Sequence, residues 1–420
     1  MLEETTITPL IFKKSWVSFF IAIWCISLPI NTFVIIPSNQ GSQIANIMGF
    51  ASLLFIVLFQ NSLPKEKLRF YYRDWIVLTI LLVLFMCASQ LGHLFNDLVS
   101  IRDLNLIRSD DRILFRPQLF TQTLYLIASF GIFTFFRHFL PKESIRYIFI
   151  GAFVMVLYGL YEWLFFLIFH HSGDFIANRV FSSDMEEAAS WTQGLDFGGT
   201  SVMRIKSTFG EPSFFTAACV PFIFLSLLTK RYFLGTLCLL CMILSWSTTA
   251  FAAIFVCILM MGIAIKKSRK AAFLSFIIAC LAFGIFTVTM PDLFDQMFRA
   301  KIMGDNDSGR VRNEITALSD HNMEKLSIFQ KSVGVGFGYV YANVTNAIRI
   351  NMGYLGLILF LWFFLWPYFC SALRGTSAIW PLGAAIICVL YTINVSEFYL
   401  PTTWAILGLA WRSLNDPSIA

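Results

Sequence analysis

Long apolar runs alternate with short polar breaks along almost the whole chain. Segments of spanning length fall at residues 16–36, 44–60, 75–91, 119–136, 147–169, 212–228, 232–246, 249–265, 271–290, 350–369, 378–395 and 398–414. A helix that crosses a hydrocarbon core needs roughly 17–25 mostly apolar residues. The pattern therefore predicts an all-α, polytopic membrane protein of about twelve transmembrane helices, forming one integral domain over residues 1–420. Two places promise short or broken helices: the pair that meets at Ser245-Trp246-Ser247-Thr248-Thr249, and the last segment, which Pro401 interrupts. The first run is too long for the apolar part of a signal peptide and lacks a small-x-small cleavage site, so it reads as a retained span.

Composition agrees. Hydrophobic residues make up 57% of the chain and charged residues 13%, with a mean hydropathy of +0.71; soluble domains lie near half apolar and a quarter charged. In such a chain the place of the cations matters more than the net charge of +6. Alternate connections are short and basic: Lys65, Lys67, Arg69 and Arg73; Arg137, Lys142 and Arg146; Lys230-Arg231; Lys266, Lys267, Arg269 and Lys270; and Arg374. The positive-inside rule puts these in the cytoplasm, and an even number of spans leaves both termini there. The opposite connections are long and carry most of the acidic residues. Two of them, 171–206 and 291–349, are predicted as large periplasmic loops, the second with an amphipathic helix. No basic run interleaved with exposed aromatics suggests a nucleic-acid partner. All nine cysteines lie in apolar stretches and read as packing residues; Cys238 and Cys241 form a CxxC inside a span with no His nearby, so neither a metal nor another cofactor is expected.

The polar weight gathers in two outer stretches. The first is Arg204-Ile205-Lys206-Ser207-Thr208-Phe209-Gly210-Glu211-Pro212-Ser213-Phe214-Phe215. Pro212 suits a first helical turn and Glu211 complements the positive helix end, which makes a capped helix start. The same residues also make an anion-handling site with a carboxylate in reach. The second stretch runs from Asp305 through Ser308-Gly309-Arg310-Val311-Arg312-Asn313-Glu314 to His321 and Lys331. Val311, Ile315, Leu318, Leu326 and Phe329 recur at helical spacing, and Asp307 or Ser308 can cap the start. At about 100° per residue, Arg310, Glu314 and His321 fall within roughly 40° of one another, with Arg312 on the other flank of the stripe. A solvated face with an i,i+4 ion pair has the same pattern. Gly334-Val335-Gly336-Phe337-Gly338 follows, a flexible turn or a close backbone approach to a ligand or another helix.

Taken in order, Arg204…Phe209-Gly210-Glu211-Pro212-Ser213-Phe214, Ser308-Gly309-Arg310, Gly334-Val335-Gly336-Phe337-Gly338 and Asn351-Met352-Gly353-Tyr354-Leu355-Gly356 resemble the superfamily of O-antigen polymerases (Wzy type) and O-antigen ligases. These are metal-independent glycosyltransferases of the C type. The resemblance implies that Arg204 and Arg310 engage a lipid-linked pyrophosphate; Arg312 and Arg179 are further candidate contacts from their place in the two loops. Guanidinium suits that task because it binds phosphate oxygens in bidentate fashion and keeps its proton. The acceptor hydroxyl needs a proton acceptor, for which Glu211 comes first and His321 second. The implied activity is polymerisation of undecaprenyl-diphosphate-linked oligosaccharide repeats at the periplasmic face of the bacterial inner membrane, with a chain-length-regulating co-polymerase as a partner. The ligases carry a His before the next span, where this chain reads Val344-Thr345-Asn346-Ala347; that departure favours polymerase over ligase. From a different class, a flippase or transporter of lipid-linked sugar would need a polar path through the membrane, and the spans offer little beyond Glu162. Glu162 reads as functional or as the partner of an outer-loop arginine. His170-His171 read as interfacial, Asp110-Asp111 as local ion partners of Arg108 and Arg112, and Glu397 has no assignment.

Overall fold

The computed structural model describes residues 15–36, 40–95, 114–171, 173–175, 194–197, 200–265, 269–299, 303, 307–338, 343–375, 378–393, 395 and 397–419. Every predicted apolar segment carries a helix: α1 (Ser15–Ser27), α2 (Ile44–Leu58), α3 (Lys65–Phe95), α4 (Pro117–His138), α5 (Ile145–Phe169), α6 (Pro212–Leu228), α7 (Tyr232–Leu244), α8 (Thr248–Ala264) and α9 (Arg269–Thr289) come first. The amphipathic helix α10 (Asp307–Lys325) and the short α11 (Ile328–Val333) follow, then α12 (Val344–Arg374), α13 (Ile379–Ile393) and α14 (Pro401–Ser413).

The protein is an α-helical membrane protein; among the described residues five helices are long and apolar enough to cross a bilayer: Lys65–Leu94, Pro117–His138, Lys142–Phe169, Arg269–Thr289 and Val344–Arg374. Of the rest, α6 has the expected bounds and α8 the expected length, while α1, α2, α7, α13 and α14 are shorter than the sequence reading expected. The first run, predicted over 16–36, stops as a helix at Ser27, just before Pro29, and Val34 instead bridges Gln43. The helices α7 and α8 do part at 245–247, and Pro401 opens α14 as its first residue instead of interrupting a longer helix. Among the described residues, a departure from an all-α fold stands in the 171–206 connection. There β1 (Gly194–Phe197) pairs antiparallel with β2 (Thr200–Met203), Gly194 opposite Met203. The sequence signal was a Gly198-Gly199 pair between two short runs, a common two-residue hairpin connection.

Contacts fix two opposite ends of the bundle. At one, Arg412 donates to the Leu140 carbonyl, Lys142 meets Asp416 at 3.5 Å, and Trp380 Nε1 donates to the Ile419 carbonyl. This is the basic end. At the other, which bears the long loops, Thr208 meets Pro29 and Thr32, and the Val344 amide donates to the Val395 carbonyl. The helices α4, α6, α13 and α14 form the centre, and nearly every residue of α6, α13 and α14 is buried. By contrast α9 buries only Ala272 among its described side chains and faces outward.

Close crossings in the bundle need small residues, because apolar side chains gain nothing from leaving lipid and helices must approach to pack. At the α2–α4 crossing a Cβ on Gly131 would lie 2.7 Å from the Gly49 carbonyl oxygen, and one on Gly49 2.6 Å from that of Ala128. Gly131→Val is therefore expected to push α2 off α4 and to cost about 1–3 kcal/mol, read as a lowered unfolding midpoint in detergent; an unchanged midpoint would refute the tight crossing.

Candidate functional site at the loop end

Strand β2 runs into the 204–211 stretch, which is fixed in turn to α7, α5 and the connection after α1. The half-buried guanidinium of Arg204 donates from Nε to the Ser245 carbonyl at 3.1 Å and from an Nη to the Trp246 carbonyl at 3.3 Å. These carbonyls close the C-terminal end of α7, where a cation is favoured. The Ile205 amide donates to the Leu244 carbonyl at 3.2 Å.

Lys206 is 1% exposed, a burial that an ammonium tolerates only with partners. It has two: Glu162 of α5 at 3.2 Å and Asp174, just beyond α5, at 2.5 Å, with both carboxylates also closed off from solvent. Further donors complete the cluster. The Ser207 amide donates to Glu162 Oε2 at 3.1 Å, and the Tyr158 hydroxyl donates to Asp174 Oδ1 at 2.7 Å. Ser207 takes a left-handed conformation (φ 55°), and its hydroxyl donates to the Met155 carbonyl. Such a backbone is held only where its surroundings over-determine it. Gly159 lets the stretch come this close, since a Cβ there would lie 2.9 Å from Ile205 Cγ2 and 3.2 Å from Ser207 Cβ. Thr208 then ties the stretch to the connection after α1: its hydroxyl donates to the Pro29 carbonyl at 2.8 Å, and its carbonyl accepts from the Thr32 amide and hydroxyl at 3.2 and 2.8 Å.

Glu211 has extended backbone and precedes Pro212 at the first position of α6, as the sequence suggested. Its carboxylate accepts from the Ser213 hydroxyl at 3.0 Å without capping a backbone amide, and the residue is partly exposed. A cation and a carboxylate therefore border one braced segment, Arg204 before it and Glu211 after it. Of the two readings of Glu162, the geometry matches the structural partner, and the outer-loop cation is a lysine where an arginine was expected.

The second polar stretch has separate support. Arg310, Glu314 and His321 are exposed on α10. That helix packs on α12 through Ile315 and Leu318, around a small core of Met323, Leu326, Val335 and Ile350. Arg349 of α12 meets Asp320 of α10 at 2.5 Å. Arg204 and Arg310 thus stand on different elements, one braced by α5 and α7, the other carried on α12. Arg312 lies within α10. Arg179 and the Arg108–Arg112 stretch with Asp110 and Asp111 lie outside the described residues.

The glycine run resolves into one of its two sequence readings, close approach to another helix. Gly334, Gly336 and Gly338 have φ of 81°, 106° and 80°. The turn lies against a break in α12 at Gly353 (φ 68°, ψ −172°), where the Val335 amide donates to the Ile350 carbonyl at 3.0 Å and the Gly336 amide to that of Asn351 at 2.8 Å. The Gly-rich turn and the Asn351–Gly356 motif are therefore two sides of one backbone junction. His93, at the loop end of α3, closes a third side with its Nε2 on the Val335 carbonyl at 2.5 Å.

Sequence reasoning missed the Lys206–Asp174–Tyr158 cluster and the buried loop-end residues His93 and Arg116, and left the buried Glu397 unassigned. Glu397 lies within electrostatic reach of Tyr125, Tyr391 and Tyr399. Each of these is a single polar residue at a helix edge, and no periodicity sets such a residue apart. Compared with known proteins, the chain matches no family model, no curated protein and no solved structure.

Proposed function

We propose that the chain is a metal-independent glycosyltransferase that polymerises oligosaccharide repeats carried on undecaprenyl diphosphate, acting at the periplasmic face of the bacterial inner membrane. The observation that carries the reading is the braced 204–211 segment. Arg204 is held at one end by the carbonyls that close α7, the middle is bonded to α5 and to the connection after α1, and Glu211 meets Ser213 of α6 at the other end. In transfer of a glycan from a diphosphate, negative charge develops on the leaving phosphate, and a pre-positioned guanidinium stabilises it without reorganising. Arg204 is assigned that role and Glu211 takes the proton of the acceptor hydroxyl. Arg310 and His321, on α10, serve the same substrate from the other support. The order of motifs and the absence of the ligase-type His at 344–347 favour a polymerase over a ligase. The described ionic clusters inside the bundle, Glu162–Lys206–Asp174 and Asp74–Arg137–His138, sit at opposite ends with no ionic step described between them, which weighs against a transport path.

The test is complementation of a host that lacks its own polymerase. Arg204→Ala is expected to abolish long-chain polysaccharide and leave single-repeat product, a rate loss on the order of 10²–10³ for one such donor, at unchanged membrane abundance. Persistent long chains would remove Arg204 from the chemistry; bare core with accumulated lipid-linked polymer would point to a ligase.

A further inference from the structure

The helix α3 is hydrogen-bonded to the bundle at its two ends, while along its middle only partly buried side chains such as Leu78 and Leu82 touch the core. At the basic end Asp74 accepts from Arg137 at 2.8 Å and lies 2.7 Å from His138 Nε2. At the loop end His93 meets Val335, and Gln90 accepts from the Phe115 amide at 2.8 Å. Between Tyr71 and Ser89 no residue of α3 is fully buried. The middle of α3 therefore stands off from α12, and a cleft of about 350 Å³ opens there, walled by α3, α4, α12 and α14 with side chains such as Leu81, Phe85 and Phe130.

The cleft is apolar along its length and cationic at its basic end, where Arg73, Asp74 and Arg137 line it. The Asp74 carboxylate is already held by Arg137 and His138, while the Arg73 side chain is 58% exposed and 3.8 Å from Asp74. Two guanidiniums against one carboxylate leave a positive surplus at the mouth. The Arg137 guanidinium lies over the Trp411 ring at 5.1 Å, and Trp362 packs on Trp411 at 5.5 Å, an aromatic border of the kind found at the headgroup level. From Arg73 to Phe85 the wall of α3 rises about 18 Å, close to one leaflet of a hydrocarbon core roughly 30 Å thick.

We propose that this cleft binds one anionic glycerophospholipid, with an acyl chain along α3 and the phosphate at Arg73 and Arg137. On the positive-inside reading this lipid belongs to the cytoplasmic leaflet, the leaflet opposite the 204–211 site. A zwitterionic headgroup gains less, because the carboxylate that would meet its amine is occupied.

The experiment is native mass spectrometry of the purified full chain with equal amounts of phosphatidylglycerol and phosphatidylethanolamine of identical chains. Phosphatidylglycerol is expected to be retained about fivefold better, the effect of one well-placed surface cation. Arg73→Gln should remove most of that preference. Leu81→Trp, which fills the cleft and leaves the outer surface intact, should cut retention of both lipids. Equal retention by the unaltered chain would overturn the proposal, as would adducts that neither substitution changes. Displacement of phosphatidylglycerol by a polyprenyl phosphate at equal concentration would give the cleft to an isoprenoid and also overturn it. Arg73 is exposed, so its substitution reads binding without disturbing the fold.

Discussion

Lys206→Met is expected to destabilise the protein by about 3–5 kcal/mol, the usual cost of removing one member of a buried ionic cluster. The reason lies in what remains. Glu162 and Asp174 both face the Lys206 ammonium, and its removal takes from two buried carboxylates a positive charge that they share. Glu162→Gln should cost less, about 1–2 kcal/mol: the glutamine oxygen still accepts from the Ser207 amide, and Lys206 keeps Asp174. Thermal unfolding of both variants in one detergent gives the comparison. A Lys206→Met protein as stable as the parent, or a Glu162→Gln protein less stable than Lys206→Met, would mean that the cluster does not brace the segment. The outcome also bears on activity assays, because only variants that keep this brace report on Arg204 itself.

Alanine at Gly334 or Gly353 is the second large effect. A Cβ on Gly334 would sit 2.3 Å from the Asn351 carbonyl oxygen, and one on Gly353 2.3 Å from that of Ser332. Both positions also have φ in the left-handed range, +81° and +68°. Strain and overpacking add to about 2–5 kcal/mol for either change, and the bonds from Val335 and Gly336 to the broken turn of α12 have to open. Gly375 is the control: its φ is +65° but nothing lies within 4 Å of its Cβ position, so alanine there meets strain alone, about 1–2 kcal/mol. Limited proteolysis should cut the 307–338 region faster in Gly334→Ala and Gly353→Ala than in Gly375→Ala. Equal cutting in all three would show that the junction does not hold that region.

The helices were legible because lipid-facing and core-facing positions are both apolar, so a span announces itself by composition and length. Their ends were less legible. Nothing in the run 16–36 outweighs its apolarity except Pro29, and α1 stops just before it. The amphipathic α10 followed from the spacing of Val311, Ile315 and Leu318, since a helix half in water must sort its faces. For the site, sequence gave the local parts: Pro212 at a helix start, and glycines where backbone meets backbone. It did not give the pairing of Lys206 with Glu162 and Asp174, because a contact across tens of residues leaves no periodic trace. It also read the Asn351–Gly356 stretch as the opening of a span, whereas Gly353 breaks α12 to receive the 334–338 turn.

The unequal heights of α5 and α7 have one more consequence. Both start level at the basic end, where Arg231 lies over the Phe149 ring at 4.4 Å. Yet α5 has 25 residues and α7 only 13, so α5 climbs to about 38 Å and α7 to about 20 Å. Arg204 rests where α7 stops, well below the summit of α5, so irregular backbone reaches membrane depth and is kept there by being enclosed in protein. The outward Tyr232, Phe233 and Ile243 of α7 present a wall shorter than a hydrocarbon core of roughly 30 Å, a mismatch that favours local thinning. On the proposed function, such thinning would bring a phosphate tethered to an isoprenoid to the level of the Arg204 guanidinium without lifting it from the bilayer.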